Sequence, residues 1–319
     1  MNLCRRRLSL LVLAGLFGLT GASCPQFLQQ YTYQPPRLLP AQPALPTLQQ
    51  VMAVVDQNNA RIQSFLANNA TVGGPDFPNL RASVAFQRPR RFRLRAETGL
   101  TGPELDLGSN DEMFWFWVRR EQPPTLYYCR HDQYAFSPAR HTLPIQPEWL
   151  IEAMGIAPFD PALPQQGPYP PPNDRLEIRT VRDTPEGPTT KITILDGSQG
   201  WILEQRILDS RGQLLARSMS GNHRRDPLTG LVMPSVVQVD CPPARFSMRI
   251  DLGNVEINPR LDDRGGLWTM PRYPNVRLVN LADPNAMNLQ PIPAPQPVAV
   301  PQPAASGQFQ APPAQWRPR

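Results

Sequence analysis

The sequence predicts a mainly β fold: a curled antiparallel sheet forming a half-open β-barrel, covered by two or more helices. Three observations lead there. Apolar and polar residues alternate with period two, as in Phe92, Leu94 and Ala96 against Arg91, Arg93 and Arg95, and in Phe246, Met248, Ile250 and Leu252 against Ser247, Arg249 and Asp251. That period belongs to half-buried strands. Such segments follow each other closely, separated by turn signals at Pro185-Glu186-Gly187, Asp196-Gly197 and Arg211-Gly212, which is the pattern of an antiparallel meander. Helical periodicity is confined to two stretches. A strongly twisted sheet of about ten or eleven strands curls on itself.

The N-terminus carries an export pattern. Arg5-Arg6-Arg7 precedes the short apolar run Leu8–Leu19, then Gly21-Ala22-Ser23 and Cys24. Residues 1–23 are therefore expected to be a signal peptide, too short for a spanning helix. Cys24 stands where a bacterial lipobox places the cysteine that receives a diacylglyceryl group, which would anchor the protein to a membrane through N-terminal acylation. Gly21 stands where leucine is usual, so an ordinary signal peptide with an incidental Cys24 is the competing reading, and the paired arginines also fit a twin-arginine signal.

The chain contains 41 prolines, clustered at Pro35–Pro46, Pro158–Pro172 and Pro284–Pro318. Those clusters divide the chain. Residues 24–45 read as a Pro/Gln-rich tether, 46–283 as one folded domain, and 284–319 as a disordered Pro/Ala/Gln-rich tail that could serve an envelope protein as a docking strip. The net charge is +6, and Lys191 is the only lysine. The arginines alternate with core residues instead of forming a basic run, so a GC-rich genome explains the bias and no nucleic-acid partner is expected.

Within the domain, Thr47 and Gln50 form a capping-box pattern ahead of Leu48, Val51, Met52 and Val55, an amphipathic helix. Strands are expected at 81–87, 91–97, 104–108, 113–119 and 125–130. A short helix follows at Pro147–Gly155, with proline at its start, glycine at its end, and Trp149, Leu150, Ala153 and Met154 in one stripe. Further strands are expected at 174–184, 189–195, 201–209, 214–220, 233–240 and 245–258. The run Met113-Phe114-Trp115-Phe116-Trp117-Val118 is apolar on both faces and needs two covers. The two helices are the candidates.

Little supports catalysis. His131, His141 and His223 share no metal-ligand spacing, and neither a GxSxG elbow, a P-loop nor a GxGxxG turn is present. No enzyme activity, metal or cofactor is expected. Cys129 and Cys241 each end a predicted strand. In an exported protein such a pair is a disulfide candidate, with two buried free thiols as the alternative.

Several motifs carry a family resemblance. They are Ala60–Phe65 after the first helix, Arg88-Pro89 ahead of Arg91-Phe92-Arg93, the segment Gly108-Ser109-Asn110-Asp111-Glu112-Met113-Phe114-Trp115-Phe116, and the helix Pro147–Gly155. This arrangement resembles the bacterial outer-membrane lipoprotein carrier and receptor proteins of the lipoprotein-sorting (Lol-type) pathway. The resemblance implies an open barrel whose apolar cup takes acyl chains of lipids or lipoproteins, in the envelope of a Gram-negative-type bacterium. It also implies that Arg88 holds a helical lid closed by bonding helix carbonyls. The expected lining is Phe92, Leu94, Trp115, Trp117, Trp149, Leu150 and Met154. Against this stands the reading of the same residues as ordinary core, in a structural or interaction lipoprotein with a filled interior. Three departures from the family pattern bear on the lid: Asp111-Glu112 replaces an Asp-Gly turn, the connection after the mid-chain helix is longer and proline-rich, and a long strand and tail are added at the C-terminus.

Overall fold

A computed structural model describes residues 36–41, 44–75, 77–137, 147–184 and 187–285. The export segment, Cys24, most of the tether, His141 and the chain from 286 onward lie outside the described residues.

Helix α1 (Leu48–Asn59) begins as its capping box dictates. The Thr47 hydroxyl accepts from the Gln50 amide at 3.2 Å, and Gln50 Oε1 accepts from the Thr47 amide at 2.8 Å. Strands β1 (Ser64–Gly74), β2 (Phe77–Gln87), β3 (Arg91–Thr98), β4 (Gly102–Ser109), β5 (Met113–Val118) and β6 (Thr125–Arg130) then run as an antiparallel meander. After the single-turn α2 (His131–Tyr134) and α3 (Pro147–Ala153), a second meander follows. It comprises β7 (Gln165–Tyr169), β8 (Arg175–Thr184), β9 (Gly187–Asp196), β10 (Ile202–Leu208), β11 (Leu214–Arg225), β12 (Val232–Cys241) and β13 (Phe246–Asp251). β13 inserts between β12 and β1, which joins the two meanders into one sheet of order β6-β5-β4-β3-β2-β1-β13-β12-β11-β10-β9-β8-β7. The sheet curls but does not close.

Three elements differ from the sequence expectation. The proline-rich connection contributes β7, an edge strand, where a loop was predicted; edges tolerate proline because one side of the strand needs no ladder bonds. The predicted strand 245–258 breaks at Gly253, whose φ of 60° reverses the chain, and resumes as the two-residue β14 (Glu256–Ile257) against β1. Last, β15 (Arg277–Asn280) pairs parallel with β6 and covers that edge.

The helices also sit differently. α1 does not cover β3–β6. Its buried Val51 and Val55 pack with Leu176, Ile178, Leu195 and Ile202 on the β8–β10 half. Leu39, in the expected tether, is buried in the same cluster, while Arg37 pairs with Asp174 at 2.6 Å. α3 enters the main core with Trp149, Ile151, Ala153 and Met154. Among the described residues no helix is long and apolar enough to cross a membrane.

Candidate functional site

Strand register decides which side chains meet. One row across the sheet reads Phe65, Phe86, Phe92, Ser109, Phe114, Cys129, and the next reads Ala67, Val84, Leu94, Leu107, Phe116, Tyr127. These rows form the inner face, on which α3 lies. Phe92, Leu94, Trp149 and Met154 share one buried cluster there, with Leu150 half-buried at its margin. The expected lining therefore splits. Arg93, Gly108 and Trp115 align in a row of the opposite face, as do Arg95, Asp106 and Trp117. Trp115 and Trp117 thus point away from Phe92 and Leu94. Alternation within a strand fixes two faces; it does not fix which face of β5 matches which face of β3. Hairpin register sets that, and β3–β4 carries an irregularity between Ala96 and Glu97.

The outer tryptophans are covered by neither helix. The arm between β14 and β15 packs on them with Met270, Tyr273 and Val276, and Tyr273 stacks on Trp117 at 4.0 Å. Asp106 organises this region. Fully buried, it accepts from Arg93 Nε at 2.9 Å and Nη2 at 2.7 Å, from Trp115 Nε1 at 3.2 Å, and from the Tyr273 hydroxyl at 2.8 Å. Arg93 Nη1 also donates to the Leu267 and Thr269 carbonyls of the arm at 3.0 and 2.8 Å. Asp106 was not singled out in the sequence. The signal it offered was a carboxylate in mid-strand between Leu105 and Leu107, on the face that also carries the β3 arginines.

On the inner face, Leu105 and Leu107 are half-buried against the main core, as is Leu150 of α3, and Phe116 is half-buried next to Leu107. Leu105, Leu107 and Phe116 adjoin in register and form a strip of half-covered apolar surface on that face. α3 is held over the core by polar contacts at both ends. Arg88 Nη2 donates to the Asn59 carbonyl at 2.9 Å and to the Ile156 carbonyl at 3.0 Å, and Nε donates to the Ile62 carbonyl at 2.8 Å. One guanidinium therefore bridges the C-terminal end of α1 to Ile156, three residues past α3. Burial lowers the Arg88 pKa from its ordinary value. Asn59 Nδ2 donates to the Ala157 carbonyl at 3.1 Å. At the other end, His131 Nδ1 lies 2.9 Å from Glu148 Oε1. Burial opposes ionisation of Glu148, but the His131 contact, a backbone amide and Arg90 together outweigh it and the carboxyl is held below its usual range.

The inner face of the second meander is polar beneath α3. Glu152 of α3 reaches Lys191 on β9 and Arg182 on β8, each at 2.8 Å. Burial again works against ionisation, and the two cations outweigh it, so Glu152 stays below its ordinary pKa. Gln205 Nε2 donates to the Glu152 carbonyl at 2.6 Å. Around this contact, the buried hydroxyls of Thr180, Thr193, Ser218 and Ser220 have no protein partner among the described residues. A buried hydroxyl without a partner costs roughly 1–3 kcal/mol.

Cys129 and Cys241 are both free and buried, and six strands separate β6 from β12 in the sheet order. The candidate disulfide is therefore not formed. Burial pushes the Cys129 thiol up to about 11 and the Cys241 thiol up to about 12, which makes both unreactive at neutral pH.

No family model matches the chain, and no curated protein matches it by sequence. Among solved structures it is similar in fold to a DUF1329 family protein from Desulfovibrio piger, with 10% identity over 68% of this chain and 96% of that one and a TM-score of 0.47. It is likewise similar to a domain from Vibrio parahaemolyticus named for outer membrane lipoprotein sorting, with 8% identity over 68% and 95% of the two chains and a TM-score of 0.46. A third likeness is to a LolA superfamily protein from Nitrosomonas europaea, with 13% identity over 69% and 96% and a TM-score of 0.44.

Proposed function

We propose that this chain is a non-enzymatic protein of the bacterial cell envelope that binds acyl chains on the inner face of its open sheet, with α3 as a displaceable cover. One observation carries this reading. A single half-buried guanidinium, Arg88, ties α1 to the chain just after α3, on a sheet whose inner face carries a half-covered apolar strip of Leu105, Leu107 and Phe116. Moving α3 would extend that strip to Phe92 and Leu94, whose apolar surface would drive uptake at roughly 25 cal/mol per Å² buried. The ligand class is the acyl chain of a lipid or lipoprotein. Cys24 would hold the domain at a membrane.

A second reading has its own support. Phe92, Leu94, Trp149 and Met154 are almost completely buried, as they would be in a filled core belonging to a structural or interaction lipoprotein. Native mass spectrometry of the protein purified from its host without detergent separates the two. A co-purifying acyl lipid is expected, and a bare chain that also refuses added fatty acid would leave only the filled-core reading. Membrane fractionation of Cys24→Ser tests the anchor: release from the membrane fraction is expected, and unchanged fractionation would remove acylation from the account.

A further inference from the structure

The polar patch under α3 lies between two apolar clusters of the sheet. In register, Ile178, Thr193, Gln205, Ser218 and Val239 form one row across β8, β9, β10, β11 and β12. Its outer members belong to two separate apolar clusters, Ile178 to the α1 cluster and Val239 to the main core. The three between them are buried and polar. The next row places Thr180 beside Lys191, the only lysine of the chain. Ser220 lies under Gly155, where any side chain on residue 155 would press on its hydroxyl. The neighbourhood thus offers two cations, a carboxamide and four unpartnered hydroxyls. The Glu152 carboxylate of the cover helix is seated on the cations.

We infer that this patch is the head-group seat for an amphiphile bearing an oxyanion, a carboxylate or a phosphate, and that Glu152 occupies it as a stand-in while α3 is in place. The inference rests on the acyl-chain reading above and specifies the polar end of the same ligand. Two carboxylate oxygens, each within hydrogen-bond distance of a different cation, present the geometry an oxyanion head would present. The hydroxyls provide donors around it. A neutral head would leave Lys191 and Arg182 without a counter-charge once Glu152 departs, which disfavours it. Loading then exchanges one anion for another, so the two cations remain paired in both states.

The test measures binding of palmitate, 1-palmitoyl lysophosphatidate and the uncharged 1-monopalmitin to the full chain, each below its critical micelle concentration. Either anion is expected to bind at least about 10-fold more tightly than monopalmitin. The larger preference identifies the carboxylate or the phosphate. In Glu152→Gln the stand-in is lost and the anions are expected to tighten further, by more than monopalmitin gains from the loosened helix. Removing either cation alone leaves Glu152 short of a partner, so the triple variant Lys191→Met/Arg182→Met/Glu152→Gln, which removes all three charges together, serves as the folded counterpart. It is expected to bind all three ligands alike. Equal binding of charged and neutral ligands by the wild-type chain, or an anion preference that survives the triple variant, would overturn the head-group seat and leave acyl binding standing. Binding of none of the three would instead overturn the acyl-chain reading itself.

Discussion

Asp106 accepts four hydrogen bonds at the centre of the outer face, and its counter-ion Arg93 is almost as deeply buried. Removing one member of a buried pair leaves the other charge uncompensated, at a cost of about 3–5 kcal/mol. Asp106→Asn is therefore expected to lower the urea midpoint sharply, whereas Tyr273→Phe, which deletes one neutral donor to the carboxylate, should cost about 1.5–3 kcal/mol. Similar losses in the two variants would mean that Asp106 is an ordinary hydrogen-bond acceptor. His223 makes a second test at this scale. It stacks on Trp201 at 5.1 Å, and burial lowers its pKa to about 4 against an ordinary 6.5. Between those values the unfolded chain binds the proton and the folded chain does not, so stability falls as pH drops from about 6.5 to about 4 and this contribution is flat on either side. The full loss is about 3 kcal/mol. Denaturation of His223→Phe, which keeps the ring, should lack that limb; an identical pH profile in the two proteins would exclude His223 as its source.

At the scale of elements, much was legible where the determinants are local. The α1 start could be read from Thr47 and Gln50, and β3 from the alternation of Phe92, Leu94 and Ala96 with arginine, because capping and pleat are written within a few residues. The covers of the Met113–Val118 strand were not legible. They depend on hairpin register and on an arm that returns from beyond residue 258, a pairing of high sequence separation with no local signature. The same arm sets a prediction. Ending the chain at Asn258 removes Met270, Tyr273, Val276 and β15, which uncovers Trp115 and Trp117 and frees the β6 edge. A red-shifted tryptophan emission is expected, together with self-association through the unpaired edge. A truncated protein that is monomeric with unshifted emission would show that the arm is dispensable.

For the whole molecule, the fold separates what must stay from what can move. The sheet is continuous through β13, and its two largest apolar clusters each take up a different helix, α1 in one and α3 in the other. α3 itself has only seven residues, so its position depends on Arg88, Asn59, Gln205 and the Glu152 pairs more than on its own helical stability. Segments held in this way open locally at a lower free energy than the core that carries them. Hydrogen exchange read by mass spectrometry should therefore show the peptide 147–157 exchanging faster than 80–87 in β2 or 234–241 in β12. Arg88→Met should lower the opening free energy of 147–157 and of the α1 end by about 2 kcal/mol, the value of a charged donor to carbonyls, which is a roughly 30-fold faster exchange. The sheet peptides should be unchanged. If instead they accelerate by the same factor, Arg88 stabilises the fold globally and α3 opens only when the sheet unfolds, which would remove the displaceable cover on which ligand entry depends.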